Sequence, residues 1–206
     1  MPAIRCSLRH ERALRAQGCA RVAGIDEVGI GPLAGPVVAA AVVLPEKFRH
    51  AILDDSKKLT AGVREQLYKE LTGDVRISWA VSIVESDEID QLNILRASHE
   101  AMRRAVTALG TPPDHVLIDG RPVRSFPIAQ TALIGGDRLS WSIAAASVIA
   151  KVTRDRLMVA MDERHPGYEF AQHKGYGTAL HLAKLQTHGP CPIHRRSFLP
   201  VREALR

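Results

Sequence analysis

Residues 22–32 read Val22-Ala23-Gly24-Ile25-Asp26-Glu27-Val28-Gly29-Ile30-Gly31-Pro32, an apolar run, then two carboxylates, then a glycine-rich loop. A short apolar run bounded by glycine is typical of a buried strand. Two carboxylates beside flexible backbone can hold a hard divalent cation, and open backbone N–H groups nearby can bind a phosphate. The stretch therefore predicts a strand of an α/β domain that ends at a cation or phosphate site.

The glycines also allow a second interpretation, a dinucleotide-binding fingerprint. Gly29-x-Gly31 follows the strand, and acidic residues come about 20 residues later, as such fingerprints require. A dinucleotide site needs a helix after the glycines, whereas residues 37–44 are an apolar run that favours a strand. Two carboxylates directly before the loop would also repel a pyrophosphate. The cation site is therefore the better interpretation.

Strand and helix signals alternate along the rest of the chain. We predict strands over 21–28, 37–44, 75–84, 115–118 and 127–134, and helices over 8–17, 61–71, 88–109, from Ser140 or Ser142 to 163, and 178–187. This order predicts an α/β fold in which a mixed sheet is flanked by helices. We expect one domain over residues 1–206. Its sheet region spans about 20–137, and a mainly helical, basic part spans about 138–206.

Composition narrows the class of protein. The chain has 206 residues, of which 46% are apolar and 24% charged, as is ordinary for a globular domain. No apolar stretch approaches the ~18 residues of a membrane span, and none follows the N-terminal arginines as in a signal peptide. Cys6, Cys19 and Cys191 are odd in number and form no CxxC pair. We therefore expect a reducing, cytoplasmic location and no membrane partner.

The positive charge is concentrated in the last third of the chain. The formal net charge is +6, and residues 138–206 contain 11 Lys and Arg but only 5 Asp and Glu. Residues 1–137 are balanced, with 17 of each sign. This asymmetry indicates a polyanionic partner steered toward an acidic, metal-binding site, or else a solvated basic surface.

Three acidic positions share one context, because Asp26-Glu27, Asp119 and Asp137 each close an apolar strand and adjoin glycine. Sites of open α/β sheets form at strand ends, so these carboxylates are candidates for one cluster. Such a cluster repels itself unless a cation neutralises it, and oxygen-only ligands favour Mg²⁺ or Mn²⁺. Asp26 and Glu27 can share a site only if the strand ends or kinks there. The alternative for Asp119 and Asp137 is a plain turn.

Polar and basic segments offer candidates for nucleic-acid contacts. The lysines of segment 55–58 can contact phosphate, although a helix cap with solvated lysines is the better interpretation of that segment alone. Tyr176, in a glycine-hinged segment, can stack on a base or sugar, or pack at the rim of the core. Residues 194–198 are interpreted as a basic patch near nucleic acid, or as plain surface. A zinc site at His188, Cys191 and His194 lacks a fourth ligand.

Together these segments resemble ribonuclease HII, the bacterial type 2 ribonuclease H, nearly end to end. Seven ordered blocks carry the resemblance: GIDEVGIGPL (24–33), DSKKL (55–59), LIDG (117–120), GD (136–137), AASVIAKVTRD (145–155), FAQHKGY (170–176) and HRRSF (194–198). The resemblance implies a ribonuclease H-like fold with a helical C-terminal part. It also implies an endonuclease that cleaves RNA paired with DNA and nicks on the 5′ side of single ribonucleotides in duplex DNA. Two-metal-ion hydrolysis would leave 3′-OH and 5′-phosphate ends.

The resemblance also assigns roles to residues. The catalytic, Mn²⁺- or Mg²⁺-binding carboxylates would be Asp26, Glu27, Asp119 and Asp137. Substrate-binding residues at the RNA–DNA junction would be Gly29, Ile30, Gly31, Asp55, Ser56, Lys57 and Tyr176. The implied partners are RNA–DNA hybrids and ribonucleotide-containing duplex DNA, with a monomeric protein and an unidentified DNA-replication partner. A type 3 enzyme, which usually has an added N-terminal domain, fits less well, since about 20 residues precede the first strand.

Two positions depart from the family pattern. Ile30 stands between the two glycines, where the family usually has arginine, so a side-chain contact to phosphate is lost while backbone contacts can survive. Gly177 replaces the usual proline after Tyr176, which would loosen the loop that places the tyrosine. Both departures concern junction recognition more than chemistry. A different class of function, a non-catalytic binder of RNA–DNA hybrids, is the alternative to the enzyme.

Overall fold

A five-stranded mixed sheet forms the centre of the molecule. The computed structural model describes residues 6–53, 56 and 59–205. The strands are β1 (Val22–Val28), β2 (Val37–Val43), β3 (Ser78–Val84), β4 (His115–Asp119) and β5 (Gln130–Leu133). They lie in the order β3-β2-β1-β4-β5. β1 pairs antiparallel with β2 and parallel with β4, which confirms the predicted mixed sheet.

Helices cover both faces of this sheet. They are α1 (Arg9–Ala16), α2 (Ala61–Gly73), α3 (Ser86–Leu92), α4 (Ile94–Thr107), α5 (Trp141–Arg164), α6 (Phe170–His173), α7 (Ala179–His188) and α8 (Leu199–Glu203). A short 3₁₀ turn, Gly136–Arg138, precedes α5. Apolar residues of α3 and α4 pack on one face of the sheet, and those of α2 and α5 on the other. No helix in the described part of the chain has the length and apolar character needed to cross a membrane.

Helix α5 packs on β1 at a point where a side chain would not fit. A Cβ built on Gly24 would lie 2.1 Å from the carbonyl carbon of Ser142 and 2.2 Å from the amide nitrogen of Ile143. The strand therefore needs glycine at this position for the start of α5 to approach it. Because Asp26 lies two residues further along the same face of β1, this close approach also places the carboxylate against α5.

Several boundaries differ from those predicted. The predicted helix 88–109 is two helices, since Asn93 adopts φ +70° and its side-chain oxygen accepts 3.1 Å hydrogen bonds from the amides of Leu95 and Arg96 at the start of α4. The predicted strand from residue 75 begins only at Ser78, because Asp74 holds the preceding turn through the Arg76 side chain. Helices α6 and α8, with four and five residues, are too short for the periodicity on which the prediction relied.

We expect Gly24→Ala to destabilise the protein by about 1–3 kcal/mol or more, because the added methyl group must displace the backbone of α5. Chemical unfolding monitored by circular dichroism measures this change. Gly62→Ala in α2 is the matched control, since nothing lies within 4 Å of the added Cβ. Alanine there should preserve or slightly raise stability. Equal, small effects of the two substitutions would contradict the close-packing account.

Candidate active site

The carboxyl ends of the parallel strands β1 and β4 bring two of the predicted carboxylates together. The last paired residues of the two strands are Ile25 and Ile118. Asp26 and Asp119 each follow directly, so they occupy equivalent places at the same edge of the sheet. Beyond Ile25, β1 continues against β2 alone, with Asp26 opposite Ala40. The carboxyl ends of parallel strands are the position at which α/β sheets bind ligands.

Asp26 is in an unfavourable environment for a negative charge. It is only 6% exposed. Burial, and then the neighbouring Glu27 and Asp119 carboxylates, raise the pKa of Asp26 well above its ordinary value. A hydrogen bond from Ser147 and a 2.8 Å bond from the Glu27 amide to Oδ1 act in the opposite direction. A buried carboxylate beside two others is stabilised as an anion by a bound cation, so this environment suits a metal ligand.

Strand β1 has no kink between Asp26 and Glu27, although a kink or strand end was the condition for the two side chains to share one site. Both residues keep regular antiparallel register with Ala40 and Ala39 of β2, and the strand continues to Val28. Their side chains therefore start from opposite faces of β1. Glu27 nevertheless interacts electrostatically with Asp26, as its effect on the pKa of Asp26 shows. No strand break before Val28 brings the two carboxylates together, and their sharing of one site stays a prediction.

Asp119 and Asp137 are linked through the turn that precedes α5. Asp119 Oδ1 accepts a 2.7 Å hydrogen bond from the amide of Gly136, the first residue of the 3₁₀ turn. Asp137 is the next residue and is buried. Within the residues that the structure describes, however, no three His, Cys, Asp or Glu side chains are arranged to hold one ion. The four-carboxylate metal cluster therefore stays a prediction.

Glu11 fixes the start of α5, and its role was not foreseen. The Glu11 carboxylate accepts hydrogen bonds from the Ser140 hydroxyl at 2.6 Å, the Ser142 hydroxyl at 2.6 Å and the Ser142 amide at 3.0 Å. Ser140 is also the helix cap, accepting from the Ile143 amide. A buried carboxylate at a helix N-terminus is stabilised by the helix dipole. The sequence signal was weak, because Glu11 lies about 130 residues away from α5 in a helix that is otherwise mostly exposed.

Ser147 joins the carboxylate site to one of the predicted substrate-binding residues. The Ser147 hydroxyl donates a hydrogen bond to the Asp26 carboxylate and also lies 2.8 Å from the hydroxyl of Ser56. Ser56 is buried, so its hydroxyl contacts Ser147 from the interior of the protein. Ser56 also belongs to the predicted substrate-binding segment. The other two members of that segment, Asp55 and Lys57, lie outside the described residues.

Arg195 holds the glycine-rich loop that follows β1. Its buried guanidinium donates to the carbonyl oxygens of Gly29 at 2.6 Å, Ile30 at 3.0 Å and Gly35 at 2.8 and 3.0 Å. Gly29 has φ +98°, and a Cβ there would lie 2.6 Å from the carbonyl oxygen of Pro36. The interpretation of His194 and Arg195 as a basic or plain surface was therefore wrong, since both are buried. Only Arg196 and Ser197 of that segment are exposed.

A second buried guanidinium, that of Arg154 in α5, completes this support. It donates to the carbonyl oxygens of Pro36 at 2.8 Å, Ala34 at 3.1 Å and Lys174 at 2.9 Å. Burial lowers the pKa of Arg154, and burial together with the charge of Arg154 lowers that of Arg195 to about 9. Arginine stays cationic at neutral pH, and within the described part of the chain both guanidiniums donate only to backbone carbonyls. They attach the loop to the C-terminal part of the chain.

Tyr176 lies beside this loop, as the resemblance implied. A Cβ on Gly31 would lie 3.9 Å from a carbon of the tyrosine ring, and the Leu33 amide donates to the Gly175 carbonyl at 2.8 Å. The ring is 39% exposed. The Arg154 guanidinium lies 5.8 Å from the ring centre. The structure thus brings Tyr176 beside the loop of residues 29–31, and this loop begins two residues after Glu27 in the sequence.

The zinc interpretation receives no support. Cys191 Sγ lies 3.1 Å from His194 Nδ1, which is a hydrogen-bonding distance. The absence of a three-residue ligand group among the described residues applies to this triplet as well.

Comparison with known proteins identifies the family. The model of the family described as Ribonuclease HII matches residues 23–201. The chain belongs to this family. A Ribonuclease HII of Myxococcus xanthus is 54% identical over 203 residues, which cover 98% of this chain and 69% of that protein. One of Xanthomonas axonopodis is 52% identical over 207 residues, covering 100% of this chain and 84% of that protein.

Solved structures agree with the family assignment. The ribonuclease H2 from Pyrococcus horikoshii matches with a TM-score of 0.73 at 28% identity, covering 89% of this chain and 96% of that one. A Bst-RNase HIII in complex with Mn²⁺ matches with a TM-score of 0.65 over 90% of this chain and 69% of that one. At 18% identity, the second shows a common fold alone. Membership of the ribonuclease HII family makes this chain an endoribonuclease of the ribonuclease H class, rather than a non-catalytic binder.

The charge on Asp26 should lower the stability of the metal-free protein. Below about pH 4 the Asp26 carboxyl is protonated in both the folded and the unfolded protein. Above its raised folded pKa the carboxylate is charged in both, but only the folded protein buries the charge, which lowers the free energy of unfolding. In EDTA at pH 8, we therefore expect Asp26→Asn to raise the melting temperature, with a difference that disappears as the pH falls toward 4.

Added Mg²⁺ separates a metal site from mere burial. If Asp26 is a ligand, Mg²⁺ should raise the melting temperature of the wild type more than that of Asp26→Asn, because binding to the folded state alone stabilises it. Asp114→Asn is the control, since Asp114 is exposed at the other end of β4. Equal responses of all three proteins to Mg²⁺ would exclude Asp26 from a metal site.

Proposed function

We propose that this endoribonuclease hydrolyses the RNA strand of RNA–DNA hybrids and nicks on the 5′ side of ribonucleotides embedded in duplex DNA. The products are 3′-OH and 5′-phosphate ends. The observation that carries the proposal is the position of Asp26. It is buried next to Asp119 at the carboxyl ends of two parallel strands, three residues before a loop that Arg195 holds in place. The proposed catalytic carboxylate and the proposed junction-binding loop are thereby adjacent in one short stretch of backbone.

The donor set suits a hard divalent cation. Asp26, Glu27, Asp119 and Asp137 supply oxygen atoms only, which favours Mg²⁺ or Mn²⁺ over zinc. The raised pKa of Asp26 shows that its negative charge is disfavoured in this environment, and a bound cation would stabilise that charge. When bound, two such ions supply activation of the attacking water and stabilisation of the leaving oxygen. The protein's own contribution is to hold the carboxylates, through Ser147 at Asp26 and through the Gly136 amide at Asp119.

Backbone amides of the loop are directed toward the substrate side. In a trans peptide the carbonyl and the N–H point in opposite directions. The carbonyls of Gly29 and Ile30 both point inward at Arg195, so the amides of Ile30 and Gly31 point away from it. Neither amide donates to any described residue. These two donors, with the half-exposed Tyr176 ring, are suited to a ribose and its phosphate.

The remaining predicted contacts complete the proposal. Asp55 and Lys57 would contact the substrate beside Ser56, and Lys57 would act as a point charge on phosphate. The surplus of positive charge in residues 138–206 fits a polyanionic substrate. A cytoplasmic, monomeric protein remains our expectation.

Asp119→Asn tests the catalytic proposal. The asparagine Oδ1 keeps the hydrogen bond from the Gly136 amide, so the fold should survive while the negative charge is lost. We expect cleavage of a duplex with one ribonucleotide to fall by about 100-fold or more, by analogy with other losses of electrostatic stabilisation at a reacting phosphate. Wild-type protein in EDTA should bind without nicking. Asp114→Asn should cleave normally, and near-normal turnover by Asp119→Asn would disprove the carboxylate cluster.

Ile30→Arg tests the effect of the family departure on substrate binding. The Ile30 side chain is 42% exposed while its carbonyl is held by Arg195, so an arginine there should extend outward without disturbing the loop. One added phosphate contact should lower KM and steepen the salt dependence of binding by about one unit of log K against log salt. Val159→Arg, an exposed position on α5, controls for general charge. An unchanged KM and salt slope would show that the side chain at position 30 makes no contact.

A further inference from the structure

Three buried histidines lie beneath Tyr176. His173, His181 and His194 are 7%, 0% and 1% exposed. The rings of His173 and His181 stack with centres 4.2 Å apart, and those of His181 and His194 lie 5.2 Å apart. They come from α6, from α7 and from the segment before α8, and nothing in the proposed chemistry uses them. Buried imidazoles must have their ring nitrogens satisfied, so their hydrogen bonds show how each is held.

The hydrogen bonds of two of these rings have only one consistent direction. His181 Nδ1 lies 3.0 Å from the Tyr176 carbonyl oxygen, which can only accept, so Nδ1 carries the proton. His194 Nδ1 lies 3.0 Å from the Cys191 amide, which can only donate, so this nitrogen accepts. The two Nε2 atoms lie 3.0 Å apart. His194 Nε2 must therefore donate to His181 Nε2, and the hydrogen bonds run from Cys191 through His194 and His181 to Tyr176.

We propose that His181 and His194 form a relay of neutral imidazoles that positions Tyr176 for substrate binding. The proposal rests on the proposed role of Tyr176 at the RNA–DNA junction. The Tyr176 carbonyl accepts from His181 and, at 2.8 Å, from the Thr178 amide. Both bonds fix the peptide unit that joins Tyr176 to Gly177. These hydrogen bonds, made on the buried side of the loop, thus limit the conformational freedom that Gly177 would otherwise give it.

The surroundings keep both imidazoles uncharged. Burial lowers the pKa of His181. Burial, and then the repulsion that a protonated His181 would exert, lower the pKa of His194 to about 4. Burial also raises the pKa of the Cys191 thiol, so the sulfur beside His194 stays protonated. The other titratable groups facing the pair are His173, His165 and Tyr168, none of which is an anion at neutral pH. A second proton on either ring would place two donors against each other.

A double-mutant cycle tests whether the relay acts through the tyrosine ring. Tyr176→Ala removes the ring and keeps the carbonyl, while His181→Leu removes the bond to that carbonyl. With the full-length protein, Mg²⁺ and a duplex containing one ribonucleotide, each single substitution should raise KM by about 10-fold with kcat changed less than about 2-fold. In the Tyr176→Ala background, His181→Leu should change KM by less than about 2-fold, because the ring it positions is absent.

Controls separate positioning from general packing. His188→Leu alters an exposed histidine on the same helix, whose ring contacts Tyr168 and not Tyr176, and should leave KM unchanged. His181→Asn keeps a donor near the Nδ1 position and should recover part of the loss. Additive effects of Tyr176→Ala and His181→Leu on KM would overturn the relay and leave the proposed function intact. A normal KM for Tyr176→Ala would overturn both the relay and the proposed role of this residue.

A spectroscopic measurement keeps the proposal testable if His181→Leu does not fold. Long-range ¹H–¹⁵N correlation spectra of the wild-type imidazoles at pH 7 distinguish the two neutral tautomers. We expect a proton on Nδ1 of His181 and on Nε2 of His194. A charged ring would overturn the relay, because two N–H donors would then face each other at the Nε2 pair or at the Cys191 amide. The opposite tautomer at His181 would overturn it too, because Nδ1 would lack the proton that it donates to the Tyr176 carbonyl.

Discussion

Two buried guanidiniums that, among the described residues, donate only to backbone carbonyls are the constraint on which the candidate site depends. Arg154 and Arg195 together donate to six different backbone carbonyls, five of them in residues 29–36. A buried charge is costly unless it is fully hydrogen-bonded, and a planar guanidinium with five donors meets this requirement where lysine would not. The loop can therefore not move away without leaving two charges unsatisfied. This is why the segment after β1 has a fixed shape despite its glycines.

The same contacts join the two halves of the chain. The candidate catalytic carboxylates lie on β1, β4 and the 3₁₀ turn. The two arginines that hold the loop lie on α5 and in the segment before α8. Asp26 meets Ser147 on α5, and the start of α5 is fixed by Glu11 and by its close approach to Gly24. Part of the positive charge of the basic C-terminal third is therefore inside the protein, where it holds the loop.

Residues with local signals were predictable, and residues whose role depends on distant contacts were not. β1, β2 and α5 were found within one residue of their ends, since apolar runs, glycines and a serine cap mark them locally. Glu11, Arg154 and Arg195 have partners 118 to 166 residues away, so sequence patterns gave no indication that they are buried. The resemblance pointed to Asp26, Asp119 and Tyr176, whose roles stay predictions. Strand β1 shows no kink at Asp26, which was the condition for Asp26 and Glu27 to share one site. Apolar alternation in β3 was visible too, although the large Trp79 and Ile83 side chains lie on its more exposed side.

The way the loop is held also explains how its backbone can be independent of residue 30. Each peptide unit has one direction, and the inward carbonyls of Gly29 and Ile30 determine where the following amides point. That direction is set by Arg195 from the interior and not by the outward side chain. Isoleucine at position 30 therefore removes the one side-chain contact that an arginine would supply, while the outward N–H groups of Ile30 and Gly31 keep their positions. In the proposed site, backbone recognition of a ribose and side-chain recognition of a phosphate would in this way be separable within three residues.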